Sequence, residues 1–149
     1  MIVRTIKVQD IQKVADILRD FRSDEITPEF VKYGDEQTVA VERLLINHFF
    51  EHSFLVEEKG EVIAVLIAHV AAMPLTPSSL IMEEVIFYVK EPYRNGRAGY
   101  MLFKAWSEYA KMLRGVGKVH AVLMHTLTDS PIDMKKHGFA EMQTTYVME

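Results

Sequence analysis

The chain has 149 residues, 49% of them hydrophobic, which is enough to build one sizeable core. Its formal net charge of -4 and its pI of about 5.9 argue against a general nucleic-acid-binding surface. The lack of cysteine excludes disulfides, thiolate metal sites and a cysteine nucleophile.

The first half predicts one strand followed by two helices. Residues 2–8 alternate loosely, as in a strand. Asp10 is a suitable N-cap for a first helix, which carries an apolar stripe at helical spacing. That stripe contains Ile11, Val14, Ile17, Leu18 and Phe21. After a polar loop, a second helix is predicted from Glu36 to Glu51, with Val41, Leu44, Leu45 and Phe49 facing inward.

The middle of the chain predicts three strands. Residues 54–58 and 61–72 flank the turn Lys59-Gly60 and therefore predict a hairpin. Residues 73–79 contain two prolines and are expected to form a connection. Residues 80–90, rich in β-branched and aromatic side chains, predict the central strand.

The last part predicts a long helix over residues 97–113 and a strand over residues 118–125. A short helix should end near Gly138, and residues 139–148 predict one or two final strands. Short turns favour antiparallel pairing, whereas the long crossover helix implies one parallel pair. We therefore predict a single α/β (α+β) domain over residues 1–149, with a mixed, mostly antiparallel sheet flanked by helices.

The segment 94–99, Arg-Asn-Gly-Arg-Ala-Gly, joins the central strand to the long helix. Amides at a helix start have no intrahelical partner, so they can bind an anion. Glycines allow close approach, and the arginines add positive charge. The segment therefore predicts a site for a phosphate-bearing ligand.

With this order of elements, residues 94–99 resemble the acetyl-CoA loop of the GNAT superfamily of N-acyltransferases, Gln/Arg-x-x-Gly-x-Gly/Ala. Arg94 and Gly99 match its ends. Arg97 replaces the middle glycine, as in an Arg-Gly-Gly-Arg-x-Gly variant in which Asn95 stands at the first glycine. The resemblance implies acetyl-CoA as cofactor, CoA as product, and a pantetheine arm along the central strand. The predicted cofactor-binding residues are Phe87, Tyr88, Val89, Arg94, Asn95, Gly96, Arg97, Ala98, Gly99 and Ser130.

Three residues are predicted to be catalytic. By its offset from Arg94, Glu83 resembles a catalytic glutamate of some family members, and burial would raise its pKa. Alternation places Glu84 on the opposite face, and either carboxylate could instead be a solvated charge at a strand end. His125 is an alternative base or a substrate contact. Tyr146 is a candidate acid for the leaving thiolate.

Met134 stands where the resemblance implies a tyrosine that protonates the thiolate. Methionine cannot donate a proton, so Ser130, Tyr88, Tyr146 or water could fill this role, or the thiolate could leave without an acid. His69, inside an apolar run, is interpreted as a satisfied sheet residue. His48 and His52 are interpreted as a surface pair, because no third metal ligand is evident, so no metal site is predicted.

The leading hypothesis is direct acetyl transfer from acetyl-CoA to a primary amine of a small molecule or peptide. The alternatives are a weak or inactive GNAT-fold module that binds CoA or a protein, and an unrelated phosphate-binding domain. No signal peptide or apolar stretch of membrane-spanning length is apparent. We therefore expect a soluble cytoplasmic protein without membrane or nucleic-acid partners. A homodimer is possible by the resemblance.

Overall fold

The computed structural model describes residues 1–25, 27, 29, 41, 43–45, 47–125, 132–142 and 148. Its strands are β1 (Ile2–Thr5), β2 (Phe54–Glu58), β3 (Glu61–Met73), β4 (Thr76–Val89) and β5 (Ala121–Leu123). Its two long helices are α1 (Ile11–Ser23) and α2 (Arg97–Gly115). Short 3-10 helices span Val8–Asp10, Phe49–His52, Glu91–Tyr93 and Met134–His137.

The five strands form one sheet in the order β1-β2-β3-β4-β5. Every neighbouring pair is antiparallel except β4 and β5, which are parallel and joined through α2. This confirms the predicted mixed, mostly antiparallel sheet with one crossover.

The two helices cover opposite faces of the sheet. Buried side chains of α1, including Val14 and Ile17, share a core with Val65 and Ile67 of β3. Side chains of α2 pack instead with the alternate residues of β3. Because β3 is covered on both sides, its residues from Val62 to Ala68 are all buried. That double burial explains the continuous apolar run in the sequence.

The carboxylate of Asp10 does not cap α1 as predicted, although the residue occupies the N-cap position. Its oxygens accept hydrogen bonds from the Lys7 amide at 2.9 Å and from both terminal nitrogens of Arg4, at 2.7 and 2.8 Å. The ion pair with Arg4 ties β1 to the start of α1.

The prediction extends the second helix too far, to Glu51. Residues 43–45 are helical, but His48 adopts a left-handed conformation with φ of 60° and separates them from the 3-10 helix Phe49–His52. A left-handed residue ends a helix because it redirects the backbone. Residues 30–40 lie outside the described residues. The predicted inward side chains Val41, Leu44, Leu45 and Phe49 do pack against the α1 core.

The predicted connection 73–79 is mostly strand, and the turn between β3 and β4 is only two residues long. Pro77 is tolerated because the register shifts there, from Ala72 opposite Leu80 to Met73 opposite Thr76. β5 is shorter than predicted. Residues 139–142 form no strand, and residues 143–147 lie outside the described part.

Candidate active site

The sheet opens on one side of β4. β4 and β5 pair only where Ile81, Met82 and Glu83 face Ala121, Val122 and Leu123, whereas β4 continues to Val89. Within the described residues, β4 therefore has no ladder partner on this edge from Glu84 onward. Unpaired strand edges present backbone donors and acceptors to a ligand.

A β-bulge lies at the point where the strands separate. Ile86 pairs with Ile67 and Glu84 pairs with Ala68, so Val85 is an extra residue in β4. Because of this residue, Glu83 lies on the same face of β4 as Ile86 and Tyr88, which pack in the α1 core. Glu84 lies on the opposite face, which α2 covers.

Glu83 lies between two histidines. One carboxylate oxygen is 2.8 Å from Nε2 of His125, and the other is 3.2 Å from Nε2 of His69. The His69 ring stacks on Phe49, with ring centroids 4.6 Å apart. These contacts define a row of three side chains across the sheet, His69–Glu83–His125, which we call the His-Glu-His row.

The pKa of Glu83 is lowered, which corrects the predicted increase. Partial burial raises it, but hydrogen bonds from His125 and His69 and their charges outweigh that effect. Glu83 is therefore ionised at neutral pH and suited to orient a neighbouring imidazole.

Glu84 is the buried carboxyl of the pair, which excludes for this residue the alternative of a solvated charge at a strand end. The residue is only 2% exposed, and burial raises its pKa to about 7. One oxygen accepts a hydrogen bond from the backbone N–H of His125 at 3.1 Å. This hydrogen bond links the segment after β5 to β4, at the point where the two strands separate.

The loop before α2 has the geometry expected of an anion site. Asn95 is left-handed, with φ of 62°, and Gly96 is the N-cap without a side chain to cap the helix. The first amides of α2 consequently lack the usual capping acceptor. Arg97 is exposed at the first helical position, so a phosphate group fits this helix start.

Gly99 and Ala98 face the sheet. Ala98 is fully buried, and a Cβ built on Gly99 would lie 3.3 Å from Cγ2 of Val89 and 3.9 Å from the ring of Phe87. The small residues of the motif are therefore also required for packing α2 against β4.

The side chain of Arg94 is held by protein groups. It forms an ion pair with Asp24, donates to the carbonyl of Val89 at 3.0 Å and lies 5.5 Å from the ring centre of Tyr88. The hydroxyl of Tyr88 also donates to Asp24, at 3.0 Å, and burial together with this carboxylate raises the pKa of Tyr88 to about 12. Tyr88 is therefore a poor proton donor.

An open cleft of about 440 Å³ surrounds this ion pair. It is lined by Asp20, Ser23, Asp24, Glu25, Tyr88, Lys90, Glu91, Pro92 and Arg94. Both basic side chains that line the cleft form ion pairs. Arg94 pairs with Asp24, and Lys90 pairs with Asp20 at 3.1 Å and with Glu61 at 2.8 Å.

The structure brings two of the predicted catalytic residues, Glu83 and His125, into direct contact. Ser130 and Tyr146 lie outside the described residues. Two residues of the site were not among the predicted site residues. His69 lies in an apolar run and was interpreted as an ordinary sheet residue, and the burial of Glu84 depends on the bulge at Val85. Within the described ranges, no cluster of three His, Cys, Asp or Glu side chains is arranged to hold a metal, and no helix is long and apolar enough to cross a membrane.

No protein-family model and no curated protein sequence matches the chain. Solved structures do match it over nearly its whole length. A ribosomal-protein-alanine N-acetyltransferase from Brucella melitensis is 12% identical with a TM-score of 0.67, covering 100% of this chain and 99% of that one. A glucosamine-6-phosphate N-acetyltransferase from Arabidopsis thaliana is 12% identical with a TM-score of 0.69, covering 99% and 97%.

A predicted acetyltransferase from Clostridium acetobutylicum, solved with acetyl-CoA, is 16% identical with a TM-score of 0.67, covering 99% of this chain and 95% of that one. A protein from Staphylococcus aureus described as a GNAT family acetyltransferase is 13% identical, has a TM-score of 0.65 and covers 99% and 97%. At these identities the likeness concerns the fold alone. The chain has the fold of the GNAT acetyltransferases.

Proposed function

We propose that this protein is an acetyl-CoA-dependent N-acetyltransferase that acetylates a primary amine of a small molecule or peptide. The observation that carries the proposal is the opening between β4 and β5, with the contact between Glu83 and His125 at its edge. The fold shared with acetyltransferases of varied substrates supports it.

The start of α2 would bind the cofactor. The amides of Arg97, Ala98 and Gly99 are suited to donate hydrogen bonds to a pyrophosphate at the positive end of the helix. Arg97 would add its positive charge. The Arg94 side chain forms an ion pair with Asp24 and would stabilise the loop without contacting the phosphates. The free edge of β4 at residues 87–89 would bind the pantetheine amides. When bound, acetyl-CoA supplies a thioester carbonyl that an amine can attack.

His125 is the proposed general base, and Glu83 the carboxylate that orients it. An ionised carboxylate beside an imidazole fixes its tautomer and stabilises the imidazolium form. His125 would take the proton of the acceptor amine as the amide bond forms and the thioester C–S bond breaks. Water or a residue outside the described part would protonate the departing thiolate.

The test is turnover with acetyl-CoA and a panel of primary amines, followed as release of free thiol. Because the chain has no cysteine, the protein gives no background in that assay. Replacing Glu83 by Gln should lower kcat by roughly 10²- to 10⁴-fold, since the imidazole loses its anionic partner. His125→Asn should lower kcat by a similar factor. In both variants the affinity for acetyl-CoA should stay within about twofold of the wild-type value. Unchanged turnover in both variants would remove the pair from the mechanism.

A second candidate function is a GNAT-fold module that binds CoA or a protein without catalysis. Met134, at the position where the resemblance implies a proton-donating tyrosine, favours it. Binding of acetyl-CoA without turnover of any amine, even at high enzyme concentration, would select this alternative.

A further inference from the structure

His69 shares the carboxylate of Glu83 with His125 but has no part in the proposed proton transfer. It lies on β3 directly opposite Glu83 in the ladder between β3 and β4. Its side chain is 25% exposed, and its ring is fixed on its other side by the stack with Phe49. An imidazole that is held in this way presents its Nε2 in one direction only.

A glutamate side chain with one hydrogen-bond partner can still rotate about its last torsion, because that torsion adopts a broad range of angles. Glu83 is held at both oxygens, because His69 contacts one and His125 the other. The contact with His69 therefore decides which way the remaining oxygen points, and so whether it meets His125.

We propose that His69 is a positioning residue, which holds the carboxylate of Glu83 in the orientation that aligns the imidazole of His125 for proton transfer. The inference rests on the proposed function for its kinetic consequence, but the alignment itself is a property of the protein without ligand. Misplacing a catalytic group by about 1 Å costs roughly 100-fold in rate.

The kinetic test compares His69→Ala with His69→Gln, because glutamine keeps an N–H donor of similar reach. We expect His69→Ala to lower kcat by roughly 10- to 100-fold with KM for both substrates little changed, and His69→Gln to restore most of the loss. In a Glu83→Gln background, the further loss from His69→Ala should be less than about threefold, since both changes disrupt one unit.

His48→Asn is the control. His48 is 75% exposed, pairs with Glu51 outside the His-Glu-His row, and has the left-handed backbone that asparagine tolerates. It should leave kcat unchanged. A full, multiplicative loss from His69→Ala in the Glu83→Gln background, or an unchanged kcat in His69→Ala, would overturn the proposal.

A second readout needs no turnover. In protein with ¹⁵N-labelled histidine, His69→Ala should move the imidazole signals of His125, and His69→Gln should return them towards their original positions. Unmoved His125 signals would overturn the positioning role even in an active enzyme. Moved signals in a protein that acetylates nothing would support the alignment while the proposed function fails.

Discussion

Glu84 is a carboxyl buried on the α2 side of β4, where it accepts the backbone N–H of His125. Its pKa is about 7 in the folded protein, against the ordinary value of 4.5. The folded state therefore retains a proton that the unfolded state releases, and stability falls as the pH rises from about 4.5 to about 7. Above that range the ionised group destabilises the fold by up to about 3 kcal/mol.

Glu84→Gln should remove this dependence, because the amide oxygen still accepts the His125 N–H and carries no charge. We expect the variant to melt above the wild type at pH 8 and close to it at pH 5. Melting curves at several pH values measure the difference. A difference in melting temperature that does not grow between pH 5 and pH 8 would show that the buried carboxyl is not the cause.

The two glutamates show what the sequence could and could not predict at this scale. Strict alternation from Tyr88 would place Glu84 on the α1 face and Glu83 on the α2 face. The extra residue Val85 reverses both. A bulge depends on how two strands fit together, so neither its position nor the resulting burial of Glu84 is visible in the residues of β4 alone.

At the scale of elements, Gly99 is the position at which α2 packs closely against β4. A Cβ there would lie 3.3 Å from Cγ2 of Val89, closer than packed atoms normally approach. Gly99→Val should therefore lower the free energy of unfolding by about 1–3 kcal/mol through overpacking. Urea unfolding measures the loss.

Val89→Ala is the matched background for this change, because it removes the atom that Gly99→Val would meet. The double variant should lose less stability than the sum of the two single changes. If the losses in free energy of unfolding were strictly additive, the packing role would be contradicted, and the proposed binding of the cofactor would be the only remaining reason for a small residue at Gly99. The sequence motif indicated that a small residue was needed at this position, but not that a strand side chain imposes the requirement.

Elements with strong local patterns were predictable, whereas those that depend on tertiary contacts were not. The long helix begins at Arg97 as predicted, because the loop before it ends in a glycine and an apolar period follows. The break at His48 and the strand through Pro77 were missed, since one depends on a left-handed residue and the other on a shifted ladder.

At the scale of the whole molecule, the order of elements was sufficient to predict the mixed sheet and its crossover. Chirality and connection rules leave few topologies for one strand, helices, a hairpin and a crossover helix. The topology places β5 parallel to β4 at one edge, but the opening itself depends on the pairing, which within the described residues ends after three pairs. The chemistry at the opening depends on individual side chains and was only partly predictable.

Thermal unfolding with and without acetyl-CoA shows whether the start of α2 binds this ligand. At about 100 times Kd, binding should raise the melting temperature by roughly 5–10 °C. Arg97→Gln should reduce the shift, whereas Lys104→Gln, an equal change of charge at an exposed site on the same helix, should not. No shift with saturating acetyl-CoA, or equal shifts in both variants, would contradict acetyl-CoA binding at the start of α2.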